Sequence, residues 1–268
     1  MAGLPATTFL GQLIQRNHQG GTSFSARTGT HETGWTPLLD VLYRHARCRI
    51  GALAAALTTD QVRTPVPATP GWTVHELLAH LVGGAADVAA GRIEDAGSER
   101  WTQRHVGERR GRPVSDLLAE WVRVGPAVEA ALAGPEIIGP NLAADAICHE
   151  SDLHEALGLG RVEREHWQPF LDAMMRHLHR RLRHSTAVMI HDDQGRQWNC
   201  GSGEPITALR VDGYELLRAT YSRRSRRQIT AWDWTPAPDL QLIERLGYFG
   251  HRDDDQPLPA ALTHGPTP

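Results

Sequence analysis

The stretch TVHELLAHLVGGAADVAAG, residues 73–91, decides how this chain reads. Val74, Leu77, Leu78, Leu81, Val82, Ala85 and Val88 recur at helical spacing. Thr73 stands at an N-cap position with Glu76 three residues later, the pattern of a capping box, and Gly91 is a natural stop. The pair Gly83-Gly84 has neither the preceding strand nor the spacing of a phosphate loop, so it reads as a place of close helix packing.

On the N-terminal side, Pro65–Gly71 carries three prolines and is a loop. Before it, a first-turn proline at Pro37 and the apolar series Leu38, Leu39, Val41, Leu42, Ile50, Leu53 and Leu57 predict a helix ending near Thr58. Residues 1–35 are expected to form a flexible leader. On the C-terminal side, the polar and basic residues 92–112 suggest a loop with short helical pieces. Pro113 and Ser115 open a third long helix, striped by Leu117, Leu118, Trp121, Val124 and Val128, in which Pro126 predicts a kink. A fourth runs from about Asn141 to Leu157 and stops at Gly158. Four helices with short connections and no convincing strand before residue 160 imply a four-helix bundle over residues 36–160.

Residues 161–255 read as a smaller α+β domain. A helix over 164–183 is followed by a strand at Ala187–His191, a turn at Asp193-Gln194-Gly195, and strands at Gln197–Cys200 and Ile206–Val211. Tyr214–Tyr221 suggests a short helix, Gln228–Trp234 a strand and Asp239–Gly247 a last helix. The tail at 256–268 is proline-rich and expected to be loose.

Composition is that of an ordinary globular protein: 40% hydrophobic and 22% charged, enough to bury a sizeable core. A net charge of −3 argues against a protein built to bind nucleic acid or an anionic membrane. No apolar run approaches the roughly 20 residues that span a bilayer. Cys48, Cys148 and Cys200 form no CxxC pair, and so sparse a set suits a reducing cytoplasm, the expected location.

Two helices carry candidate chemistry. The second holds His75 and His80. The fourth reads Asp145-Ala-Ile-Cys-His149-Glu150-Ser-Asp152-Leu-His154. Residues four apart on a helix share a face, so Asp145 with His149, or Glu150 with His154, can hold two corners of a metal site. Imidazole and carboxylate with an open position suit catalytic zinc or another divalent ion. The helical wheel does not choose between the pairs, since both flank its apolar centre. Asp-x3-His is also common on helices that bind nothing, so a metal-free reading stays open. The cluster Arg223-Arg224-Ser225-Arg226-Arg227 reads first as a solvated turn whose arginine stems lie along the surface. A single arginine there gripping a carboxylate is the other reading. No GxSxG elbow is present, and no cysteine has an activated setting in sequence.

The run Pro65-Val-Pro-Ala-Thr-Pro-Gly-Trp72-Thr-Val-His-Glu-Leu-Leu-Ala-His80 resembles the start of the DinB-like metal-binding bundle of the mycothiol-dependent maleylpyruvate isomerase-like family. The run Asp145 to Gly158 resembles that family's fourth-helix motif, and the likeness extends over roughly residues 37–250. The resemblance implies metal ligands at His80, Asp145 and His149. The isomerase usually carries glutamate at the acidic position, where this chain has Asp145. Asp152 becomes an outer partner, and Glu150 and His154 helix-face residues. The second domain resembles the family's small, sterol-carrier-like C-terminal domain. There Arg223 matches a catalytic arginine, with Ser222 in place of the glycine that precedes it in the family.

The implied function is metal- and thiol-dependent, with zinc as the expected metal and mycothiol as the thiol. The reaction is isomerisation, or S-transfer, of a small electrophile. Nucleic acid and membrane are not expected partners. The alternative is a non-catalytic metal-binding sensor or interaction module.

Overall fold

The structure, a computed structural model, describes residues 38–134, 141–185 and 187–259. The expected leader at 1–35 and most of the expected tail lie outside them. The chain divides into two compact units, the first running to residue 166 and taking in 257–259, the second spanning 167–256.

The first unit is helical. Its long helices are α1 (Leu39–Ala55), α3 (Val74–Ala89), α5 (Val114–Leu132) and α6 (Leu142–Ala156), with the shorter α2 (Thr59–Val62) and α4 (Glu99–Arg109) between them. α1 packs on α5 and α6, and α3 packs on the same two, closing the expected four-helix bundle. The capping box at Thr73 and Glu76 forms as the sequence predicts. Its core is Tyr43, Ile50, Leu77, Leu78, Val82, Leu117, Trp121 and Val128, all essentially inaccessible to water. Polar ties set which faces meet. Trp121 Nε1 donates to Tyr43 Oη at 2.8 Å, and Arg47 reaches Glu129 at 2.9 Å. That arginine crosses directly over Gly125, where a Cβ would come within 2.6 Å of its Nε.

The stretch 92–112 holds more helix than its composition suggests. α4 runs unbroken for 11 residues from an N-cap at Ser98. Its buried face is Trp101, Thr102, His105, Val106 and Arg109, at helical spacing but largely polar, so an apolar-periodicity reading passes over it. Among the described residues no helix is long and apolar enough to cross a membrane.

The second unit begins in α7 (Arg164–Leu182) and builds a four-stranded mixed sheet in the order β2-β1-β3-β4. β1 (Val188–Asp192) pairs antiparallel with β2 (Gln197–Cys200) across the Asp193–Gly195 turn and parallel with β3 (Thr207–Val211). α8 (Gly213–Thr220), α9 (Arg226–Thr230), the edge strand β4 (Asp233–Thr235) and α10 (Leu240–Leu246) follow. The strand expected over Gln228–Trp234 begins in the end of α9 and becomes strand, as β4, only from Asp233. Ser225 and Gln228 form a capping box, which commits the segment to a helical turn before β4 begins.

Two further expectations need correction. Arg223 and Arg224 are not solvated: each is buried, and Arg224 makes an ion pair with Glu215. Arg226 and Arg227 lie nearer the surface, Arg227 exposed as expected, and are paired with Asp253 and Asp255. The start of the tail is also fastened, since Gln256 is buried and exchanges hydrogen bonds with Gln228 at 2.7 and 3.1 Å.

A half-buried base in this unit makes stability depend on pH. His177 lies against the Tyr248 ring, centroids 4.6 Å apart. Burial, then the charges of Arg181 and Arg180, push its imidazole down from 6.5 to about 4. Between those values the unfolded chain binds a proton that the folded chain refuses, so stability falls as pH drops through this window. Melting midpoints are therefore expected to decline from pH 7 to pH 4.5, and less steeply in His177→Gln. Equal slopes in the two proteins would contradict the assignment.

Candidate metal centre

Within the first unit, His80 comes from α3, and Asp145 and His149 from consecutive turns of α6. All three are buried, and one ligand-capable atom of each lies within 4.8 Å of the other two. Asp145 is central: Oδ2 is 3.4 Å from His80 Nε2, and Oδ1 is 3.5 Å from His149 Nε2. α6 enters this region from an Asn141 N-cap, whose side chain accepts from Ala144 N.

The far side of each imidazole is held. His149 Nδ1 sits 2.9 Å from Asp152 Oδ2, one turn on and fully buried. His80 Nδ1 sits 3.3 Å from His105 Nδ1 on α4, and His105 Nε2 sits 2.9 Å from Asp87 Oδ2 on α3. Asp87 also accepts from Arg92 at 2.6 Å and from Arg104 at 2.5 Å. Burial alone would raise the Asp87 pKa, but hydrogen bonds from His105, Arg104 and Arg92 hold its carboxyl well below the usual carboxylate range. Burial pushes His105 down to about 4, against the opposing pull of Asp87.

These contacts test whether the residues suit a cation. A carboxylate beside His149 Nδ1 makes that atom the proton donor and leaves Nε2 as a lone pair toward Asp145. An imidazole nitrogen at one end and a carboxylate at the other is the pairing that metal-bound histidines commonly have. Two imidazole nitrogens converging on one carboxylate in a buried site form a donor set that suits a divalent cation.

Aromatic rings wall the centre. Trp72 lies 5.1 Å from the His80 ring and 6.5 Å from the His149 ring, and Trp101 meets His80 edge-on at 6.1 Å. The Pro-Gly-Trp run gains a physical meaning here. Gly71 takes φ of 90°, the left-handed turn that returns the chain so that Trp72 O accepts from Val66 N.

The remaining candidates lie elsewhere. Glu150 faces α1, where Arg49 grips it with two 2.7 Å bonds, and His154 is bound to the Gly160 carbonyl. His75 is bound to the Arg112 carbonyl. Arg223 belongs to the second unit, is buried, and donates to the Tyr221 carbonyl at 2.9 Å. The residue before it explains the glycine of the resembled motif. Ser222 has φ of 60°, a backbone conformation that favours glycine, and its hydroxyl bonds to Gly250 O and Phe249 N. Burial pushes the Cys200 thiol up to about 12, so it is no nucleophile.

His105 and Asp87 were not among the sequence candidates. The signal that pointed toward them is Gly83-Gly84. A Cβ on Gly83 would come within 2.4 Å of His105 Cβ and Cγ, so the missing side chain is what admits His105. Gly83→Ala is expected to destabilise the protein by about 1–3 kcal/mol through overpacking. Gly51→Ala, where nothing lies within 4 Å, should be neutral or stabilising. Chemical denaturation of the two variants checks the contrast.

A helical bundle bearing a buried two-histidine, one-carboxylate cluster, followed by a small α+β unit, is the class this chain defines. Residues 43–136 match the family described as Mycothiol maleylpyruvate isomerase N-terminal domain. The fold is similar to the crystal structure of the mycothiol-dependent maleylpyruvate isomerase, with a TM-score of 0.53 and 12% identity over 76% of this chain and 95% of that one. A histidine-to-alanine mutant of that isomerase matches with a TM-score of 0.52 and 11% identity over the same shares. At such identity the structural likeness is one of fold. No curated protein matches the sequence.

Proposed function

We propose that the chain is a metal-dependent enzyme that uses a low-molecular-weight thiol of the mycothiol type to isomerise, or to transfer the thiol to, a small electrophilic substrate. The observation that carries this reading is the convergence of the buried His80, Asp145 and His149 in a bundle whose residues 43–136 match the isomerase's N-terminal domain family. His80, Asp145 and His149 would be the ligands, and the donor set suits zinc.

A divalent ion in such a site lowers the pKa of a bound thiol and presents it as the thiolate nucleophile. The protein's own groups do the rest. Asp152 keeps His149 in the tautomer that offers Nε2, and Trp72 and Trp101 keep bulk water from the ligand atoms. Arg223, by its match to the family's arginine, would orient a substrate carboxylate or stabilise developing negative charge.

Cobalt-substituted protein tests the thiol role. Adding mycothiol is expected to produce a thiolate-to-cobalt charge-transfer band that does not appear with the His149→Ala variant. A cobalt spectrum indifferent to thiol would sink the catalytic proposal and favour a metal-binding module without chemistry.

A further inference from the structure

His105 is fully buried, yet it takes no part in the chemistry proposed above. Its surroundings give it a direction. Asp87, fully buried and held by Arg92 and Arg104, is an anion and can only accept a hydrogen bond. His105 Nε2, 2.9 Å from Asp87 Oδ2, is therefore the protonated nitrogen. In the neutral imidazole this leaves Nδ1 as an acceptor, and the group it faces at 3.3 Å is His80 Nδ1. His80 then carries its proton on Nδ1 and turns a lone pair on Nε2 toward Asp145, 3.4 Å away. His105 approaches His80 from the side opposite Asp145, so it stands behind a ligand and is not a fourth ligand. Three elements are shaped for the contact: α4 brings the ring, Gly83 makes room for it, and Trp101 packs edge-on against it at 4.2 Å.

We propose that His105, anchored by Asp87, is a positioning residue that fixes the tautomer and ring orientation of His80 and so tunes metal affinity. The role presupposes a metal on His80, the reading proposed above. The chain His80, His105, Asp87 would do for one ligand what Asp152 does directly for the other. It replaces a carboxylate contact with an imidazole relay ending in a carboxylate shared by two arginines.

The test measures zinc affinity of the full chain by competition with a chromogenic chelator, in wild type, His105→Phe and His105→Asn. Phenylalanine keeps a ring without an acceptor and should weaken zinc binding by roughly 10–100-fold. Asparagine, whose carbonyl oxygen can take the place of Nδ1, should recover most of that loss. In parallel, nitrogen-15 NMR of the metal-free wild type should show His80 protonated on Nδ1, which decides the question even where a variant fails to fold. Wild-type affinity in His105→Phe, or a His80 protonated on Nε2, overturns the role and leaves the metal reading intact. A wild type that binds no zinc overturns both.

Discussion

Replacing His149 with alanine is expected to abolish stoichiometric zinc binding and thiol-dependent activity together, while the protein stays folded. The effect should exceed the roughly 10–100-fold in affinity that loss of an outer partner costs, because a ligand itself is removed. The informative control is the neighbouring residue. Glu150 is buried beside His149 on α6, but its carboxylate is committed to Arg49 on α1. Glu150→Ala should therefore lower stability by breaking a largely buried ion pair and leave zinc content unchanged. His154→Ala, at a half-buried site on the last turn, should leave zinc content unchanged as well. Metal analysis of the three purified variants checks the set. Zinc lost in Glu150→Ala and kept in His149→Ala would assign the site to the wrong face of α6.

The second large effect belongs to Asp87. Its carboxylate is fully buried and accepts from His105, Arg92 and Arg104 at once. Asp87→Ala leaves the His105 N–H buried without its acceptor. The two arginines are partly exposed and can turn to water, which softens the loss. The expected cost is about 2–3 kcal/mol, or roughly 5–10 °C in melting midpoint for a protein of this size. Asp87→Asn keeps an acceptor for His105 but no charge, and should fall between. The sign with pH follows from the depressed carboxyl. Above the ordinary carboxylate pKa of 3.8 its stabilisation is fully present, and it is lost as pH falls below that value toward the folded pKa. Acid melts of wild type and Asp87→Ala should therefore converge below pH 4. Curves that stay parallel well below pH 4 would contradict the network's role.

Much of the bundle was legible because its signals are local. Thr73 and Glu76 announce the start of α3, and an apolar stripe carries it. α4 escaped because its buried face is built from His105, Thr102 and Arg109, which an apolar pattern cannot see. α9 escaped for a different reason. Its five residues are too few to show a period, and only the Ser225–Gln228 capping box marks it.

The site divides in the same way. The spacing of Asp145 and His149 is visible along one helix, but so is that of Glu150 and His154. What separates the pairs is Arg49 on α1, a residue about a hundred positions away from Glu150. The link from His80 to His105 and on to Asp87 likewise crosses between helices and has no spacing rule. The buried pairing of Arg224 with Glu215 was hidden because a run of arginines looks the same in sequence whether solvated or enclosed.

The central claim is that His80, Asp145 and His149 hold a divalent metal. Mass spectrometry of metal content on the native protein, before and after supplying zinc, tests it most directly. The account predicts near-stoichiometric zinc that His80→Ala and His149→Ala both lose. Native protein that stays metal-free with zinc supplied would contradict it.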